Sequence, residues 1–418
     1  MSAGRPAVAS TDITPFPVAA RLVPAQGSLE DLGQGRLELR PEAALVTCIG
    51  APLTVSWREV AAVRAEDYEL RYELSGGAAI ELSRLGGRFE EAVAESLRLW
   101  RDEIAAVLFI SEPTLHDAFE CRYARADGRE AAAEARLYDT RLALFPPDGL
   151  PIVVEYGDIT GVMLDKESYA VAVDCGERLV VGKLGRRTEE IPDLLNGRVG
   201  GLHGAVQATV ARIAPSVGAL RLRELSRVFA AGGSLPEAVI PDLAPALYAS
   251  LTASLPEDSE GPAYVDALRG LCGGGLRLGV RPSSEQPFAS DKAVAIELTA
   301  DEEGEAAATI WALAPLSEGD HVTAVAFEVL TEEDRATYVF RISPDAADED
   351  LRHIERALLR IQYRREPVAL KDSEAAGSEY ALAIRRIPEL QWLRERLLAR
   401  VAHTSVEAWT KKLRKLVG

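Results

Sequence analysis

Residues 52–86, PLTVSWREVAAVRAEDYELRYELSGGAAIELSRLG, return as residues 151–185, PIVVEYGDITGVMLDKESYAVAVDCGERLVVGKLG. Pro52 and Pro151, Trp57 and Tyr156, Val60 and Ile159, Val63 and Val162, Leu85 and Leu184, and Gly86 and Gly185 all match at one constant offset. Such self-similarity marks a repeated structural unit, and it sets the architecture before any residue-level reading. With 418 residues the chain has room for roughly three domains, at about 150 residues each. The repeat accounts for two of them.

Working outward from the first copy, short segments with two-residue alternation or β-branched enrichment predict strands at 17–24, 35–40, 43–49, 52–57, 60–65, 67–74 and 77–84. In YELRYEL, Tyr68, Leu70, Tyr72 and Leu74 fall on one face and Glu69, Arg71 and Glu73 on the other, the pattern of a half-buried antiparallel strand. From Arg88 the period changes to 3.6. Phe89, Val93, Leu97, Trp100, Ile104 and Leu108 form one stripe of a helix ending near Phe109. The second copy repeats the order, with strands at 118–125, 132–138, 140–145, 151–156, 159–164, 168–174 and 177–184, then a helix over 188–213; Tyr169, Val171 and Val173 mirror Tyr68, Leu70 and Tyr72. A small bent sheet leaves an apolar corner open, and a terminal helix covers it.

The apolar strands AALVTCI and LALFPP, the segments V-S-W-x-E-V-x-x-V (Val55–Val63) and V-E-Y-x-D-I-x-x-V (Val154–Val162), the hairpins and the closing helices together resemble the pleckstrin-homology-like superfold, particularly its bacterial and GRAM-type members. The resemblance covers 17–110 and 115–213. It implies an α+β chain with two tandem seven-stranded bent-sheet units, each closed by a C-terminal helix. In that family, lipid binding depends on a basic loop between the first two strands. Here those loops read PAQGSLEDLGQG and ADGREAAAE, and Arg36 with Arg40, and Arg136 with Arg141, are isolated arginines on strands. The resemblance therefore implies protein binding rather than phosphoinositide binding.

A flexible arm is expected over 1–16, and a helical connector over 218–272, where Gly232, Gly233, Pro241 and Pro245 punctuate Ala/Leu-rich segments. An α+β C-terminal domain follows over 273–418, with strands at 276–281, 292–299, 306–314, 321–330 and 336–343 and a helix at 349–363; its order admits a diverged third unit. The tail from Ile387 to Gly418 reads as helical. Leu390, Leu393, Leu397, Val401, Val406, Trp409, Leu413 and Leu416 carry its apolar stripe.

Composition narrows the function. Hydrophobic residues make up 47% and charged residues 27%, as in folded globular proteins, and the net charge is -18. That charge opposes general nucleic-acid binding and adsorption to anionic lipid, and it favours a basic partner. No segment has the apolar length of a signal peptide or a membrane span, so a cytoplasmic protein is expected. Cys48, Cys121, Cys175 and Cys272 form no C-x-x-C pair.

Phosphate loops, zinc-helix motifs and nucleophile elbows are missing from the sequence, so neither catalysis nor a cofactor nor a metal is expected. His116, His203, His321, His353 and His403 lie in different elements, and the runs Asp301-Glu302-Glu303 and Asp348-Glu349-Asp350 read as solvated acidic surface. Trp57 and Tyr156, in equivalent positions, read as packing residues. The expectation is a non-enzymatic scaffold that docks a protein partner through its pleckstrin-homology-like units. One alternative is peripheral membrane association by the basic tail, for which Trp409, Lys411, Lys412, Arg414 and Lys415 are the candidate contacts for a partner or a membrane. Another is an enzyme site around Glu302, His321 and His353.

Overall fold

The structure, a computed structural model, describes residues 15–254, 261–282, 308–319, 321–331 and 336–417. The chain forms two compact bodies. One comprises the described residues up to Ile110 together with Phe145–Pro151; the other comprises Ser111–Leu144 and the described residues from Ile152 onward.

In the first body, β1 (Phe16–Val23), β2 (Glu30–Leu39), β3 (Ala43–Thr47), β4 (Leu53–Ser56), β5 (Val60–Glu66), β6 (Glu69–Leu74) and β7 (Ala79–Ser83) make one sheet, followed by α1 (Phe89–Val107). The sheet order is β4-β3-β2-β1-β7-β6-β5, so the first strand pairs with the last and the meander curls back on itself. Trp57 is fully buried, donates from Nε1 to the Arg40 carbonyl at 2.8 Å and meets Tyr72 edge-on at 5.6 Å. Tyr72 is also buried; its hydroxyl lies 2.7 Å from Ser96 Oγ, which donates to the Ala92 carbonyl. A serine thus sits within the apolar face of α1 because a buried phenol needs a partner. Trp100 Nε1 ties the same helix to β5 by donating to the Val60 carbonyl at 3.1 Å.

The second body begins with the matching set: β8 (Asp117–Ala124), β9 (Glu130–Leu137), β10 (Arg141–Phe145), β11 (Ile152–Glu155), β12 (Gly161–Asp165), β13 (Ala170–Asp174), β14 (Arg178–Gly182) and α2 (Glu190–Ile213). Its sheet order, β11-β10-β9-β8-β14-β13-β12, is that of the first. The matched glycines explain themselves. Gly86 and Gly185 lead into the closing helices at φ +61° and +59°, where any side chain would be strained.

One part of the strand reading is corrected. Tyr68 and Tyr169 are not on the buried face of a strand. Asp67 and Tyr68 both have positive φ and form the two-residue turn between β5 and β6, leaving Tyr68 78% exposed; Tyr169, at φ +50°, ends the four-residue turn between β12 and β13 and is 70% exposed. The alternation YELRYEL runs smoothly through the turn because Tyr68 occupies the right parity, but the tight hairpin takes that residue out of the ladder.

The remainder of the second body is built on α3 (Ala219–Ala230), β15 (Leu235–Pro236), α4 (Ala244–Ser254), α5 (Gly261–Leu271), β16 (Arg277–Pro282), β17 (Ala308–Glu318), β18 (His321–Val329), β19 (Ala336–Arg341) and α6 (Ala347–Arg360). Three short helices follow, α7 (Glu366–Ala369), α8 (Asp372–Ala375) and α9 (Ala381–Arg386), and then α10 (Pro388–Arg396), β20 (Leu397–Ala402) and α11 (Val406–Val417). The strands form a six-stranded sheet in plain sequential order, β15 to β20. Unlike the first two, it does not pair its first strand with its last among the described residues. The strand expected at 292–299 lies outside the described residues.

The tail is not one helix. Leu397–Ala402 is the edge strand β20, antiparallel to β19 with Tyr338 opposite Arg400 and Ala336 opposite Ala402. Leu393, Leu397 and Val401 fit a helical spacing, yet Leu397, Ala399 and Val401 fit a strand equally well, and the exposed edge of β19 decides between them.

After this strand, α11 returns to the core. Trp409 is fully buried: Nε1 donates to Thr337 Oγ1 at 2.9 Å, and Thr337 Oγ1 donates to Glu328 Oε2 at 2.9 Å. His403 Nε2 lies 3.2 Å from the same carboxylate oxygen, and the imidazole stacks on Tyr264 at 3.9 Å. Deleting the indole opens a cavity and breaks this chain. Trp409→Ala is expected to cost about 3–5 kcal/mol in denaturant unfolding, whereas Lys412→Gln should stay within about 0.5 kcal/mol.

Candidate functional site

A cavity of about 760 Å³ opens within the second body. Its size falls in the range of ligand sites, roughly 300–1,000 Å³. One wall is a single face of α2, from Asp193 and Leu194 through Gly197, Arg198, Gly201 and Leu202 to Ala205. These residues recur at helical spacing, so they line the cleft together. The opposite wall comes from Arg281 and Pro282 of β16, Thr309 of β17, Leu359 of α6 and the turn Gln362–Arg364. Glu112, Thr140 and Arg141 form the third side.

The α2 wall is recessed by its sequence. Gly197, Gly200, Gly201 and Gly204 sit inside a helix, and a Cβ placed on any of them would meet no atom within 4 Å. Each costs about 0.5–1 kcal/mol of helix stability relative to alanine. No packing neighbour requires them, and the space they leave at Gly197 and Gly201 belongs to the cleft.

The opposite wall is held by unusual backbone. Helix α6 stops at Arg360 because Gln362 and Tyr363 both take left-handed conformations, φ +52° and +57°, with Tyr363 N donating to the Leu358 carbonyl at 2.8 Å. The resulting turn lays the buried Tyr363 ring against Trp311 at 4.9 Å and Phe327 at 6.3 Å. Non-glycine residues in this region cost of order 1–3 kcal/mol each, and such strain collects at functional sites.

Electrostatics distinguish the cleft from the surface around it. Arg141 is almost fully buried; its Nε lies 3.1 Å from Glu112 Oε1 and its Nη2 3.3 Å from Glu155 Oε1. Glu112 is further fixed by Thr140, whose backbone N donates to Oε2 at 2.8 Å and whose hydroxyl donates to Oε1. Arg281 is 6% exposed and has no hydrogen-bond or ion-pair partner among the described residues; its Nη2 is buried and unsatisfied. Arg360, close behind the cleft, has its pKa pushed down to about 10 by burial and by the Arg141 charge. Burial also lowers that of Arg364, with Arg141 adding to the effect. The cleft therefore gathers cations that disfavour one another, inside a chain of net charge -18.

Sequence reading marked none of these residues as a binding site. Arg141 reads as an isolated strand arginine, and the four glycines of NGRVGGLHGA were the available signal, since a helix interior seldom carries so many. Of the residues marked as partner or membrane contacts, Trp409 is in the core, while Lys411, Lys412, Arg414 and Lys415 are exposed on α11. Trp57 and Tyr156 are both fully buried. Among the three residues considered for an enzyme site, His321 is exposed at the start of β18, His353 stacks on Trp392 at 4.1 Å, and Glu302 lies outside the described residues. Among the described residues no group of His, Cys, Asp and Glu is placed to hold a metal, and no helix is long and apolar enough to cross a membrane. None of the four cysteines is in a disulfide.

No protein-family model matches the chain, and no curated protein matches it. Solved structures do match, among them the crystal structure of the C-terminal domain of an unknown protein from Leishmania infantum. It is 14% identical over 25% of this chain and 97% of that one, with a TM-score of 0.21, a likeness too slight to bear on fold or function.

The buried Glu155 gives the cleft a pH signature. Desolvation raises its carboxyl pKa above the ordinary range, against the opposing pull of Arg141, Arg281 and Arg360. A raised folded pKa favours the folded state when the group is protonated, so its stabilising contribution is complete below the unfolded pKa and is lost as pH rises through the folded one. The stability of the wild type relative to Glu155→Gln is therefore expected to fall as the pH rises above about 4, the ordinary carboxyl range, measured by urea unfolding at each pH. A difference that grows with pH contradicts it.

Proposed function

We propose that this chain is a non-enzymatic interaction protein, a scaffold of two pleckstrin-homology-like units, and that it docks a segment of a protein partner in the cleft beside α2. Support for the family reading comes from the two identical sheet orders, each with the first strand paired to the last and a helix following the seventh strand. Support for the docking site comes from one observation: the closing helix of the second unit has glycines at Gly197 and Gly201 where nothing packs, facing a cavity of about 760 Å³. Glycines at Gly197 and Gly201 leave gaps between the side chains of Asp193, Leu194, Arg198 and Leu202, where a peptide backbone can approach the helix closely.

This reading separates stability from binding. Gly197→Ala with Gly201→Ala is expected to stabilise the protein by roughly 1–2 kcal/mol in total, because alanine favours the helix and meets no neighbour. Gly201→Phe, which fills the trough, is expected to abolish capture of partners that the wild-type chain retains from a lysate of the native organism. Capture by Gly201→Phe equal to that of the wild type would falsify the docking site.

A further inference from the structure

Arg281 is the group in the cleft that its surroundings leave unfinished. A buried guanidinium without hydrogen-bond partners is costly, even where carboxylates such as Glu155 and Asp158 lie within Coulombic range of it, and hydrogen bonds from a bound group offset that cost. Arg281 lines the cavity with 94% of the residue removed from solvent, its Nη2 is buried, and it makes no hydrogen bond or ion pair to any described residue. Arg198, half-buried on the α2 wall, likewise has no hydrogen-bond or ion-pair partner among the described residues.

The carboxylates that line the cleft are mostly engaged elsewhere. Glu112 is held by Arg141 and Thr140, and Asp139 lies 2.5 Å from His116 Nε2. Asp193 is exposed on α2. Among the described residues, Arg281 and Arg198 thus line the cleft without a hydrogen-bonded carboxylate; Glu155 and Asp158 reach Arg281 through Coulomb attraction alone, and the recess walls include Leu202 and Leu359. Planar guanidinium forks match the oxygens of a carboxylate or a phosphate, and a low-dielectric recess strengthens the pairing.

We infer that the inner end of the cleft is an oxyanion receptor, and that the docked partner segment is acidic, presenting a carboxylate or phosphate side chain to Arg281 and Arg198. This rests on the docking reading above and adds the chemistry of the docked group. Charge complementarity selects the occupant: a basic segment would bring a further cation beside Arg141, Arg281 and Arg198, whereas an acidic side chain completes them. The focused positive potential of the cleft acts at short range, within a screening length of about 8–10 Å, so the net negative charge of the chain does not cancel it.

The test is thermal stabilisation of the full chain at constant ionic strength by three probes: inorganic phosphate, the blocked tripeptide acetyl-Ala-phosphoSer-Ala-amide, and acetyl-Ala-Glu-Ala-amide. The expected result is saturable stabilisation by phosphate and by at least one of the acidic peptides. Arg281→Gln is expected to bind roughly tenfold to a hundredfold more weakly, the range for one charge-assisted hydrogen bond. Arg198→Gln, at a half-buried position that tolerates substitution, should weaken binding in the same direction, and Lys412→Gln should leave it unchanged. Phosphate binding without either peptide overturns the acidic-segment assignment in favour of a free small anion. No saturable binding, or binding unaltered in both arginine variants, overturns the receptor itself. Loss of partner capture by Gly201→Phe alongside that outcome leaves the docking reading standing without an oxyanion site.

Discussion

Arg141 between Glu112 and Glu155 is the contact on which the architecture of the second body's cleft depends. The three side chains come from the segment that precedes the second unit, from β10 and from β11, and all are nearly removed from water. Burying such a group gains little net stability over an apolar replacement, because desolvation consumes most of the Coulomb attraction. What the arrangement does is spatial. Arg141 holds Glu112 against Thr140 and holds Glu155 inside, which fixes one side of the cavity, and among the described residues Arg281 has no carboxylate at hydrogen-bonding distance. Arg360 and Arg364, both with lowered affinity for their protons, show the same crowding of positive charge from the side of α6.

Most of the secondary structure was legible because the units are small, antiparallel and repeated. Two-residue alternation identifies a half-buried strand, and the change to a 3.6 period at Arg88 identifies α1; the second copy then checks the first. Where the reading failed, two periods coincided. Tyr68 had the parity of a strand residue but belongs to a two-residue turn, and Leu397 with Val401 satisfied helix and strand alike until β19 offered an unpaired edge. Local pattern does not contain the information that resolves either case.

The cleft was less legible for a different reason. Only the α2 wall comes from one stretch of sequence, 193–205; the rest is drawn from residues 112–114 and 139–141, from β16, β17 and α6, and from the turn at 362–364. Its arginines are spaced far apart and look individually like surface cations. The glycines of α2 were visible, but only the structure shows that they pack against nothing. Trp409 illustrates the converse. Beside four cations on a terminal helix it looks like an anchor, yet the hydroxyl of Thr337 accepts its N–H in the core and leaves only the cations outside.

The central claim is that the trough along α2, ending at Arg281, is where this protein meets its partner. Hydrogen–deuterium exchange of the full chain, free and saturated with a partner captured by the wild type, tests it most directly. The account expects slowed exchange concentrated at the amides of 197–205 in α2 and 279–281 in β16, with α11 unchanged. Protection confined to α11, or to the first body, with the α2 amides unaltered, would contradict it.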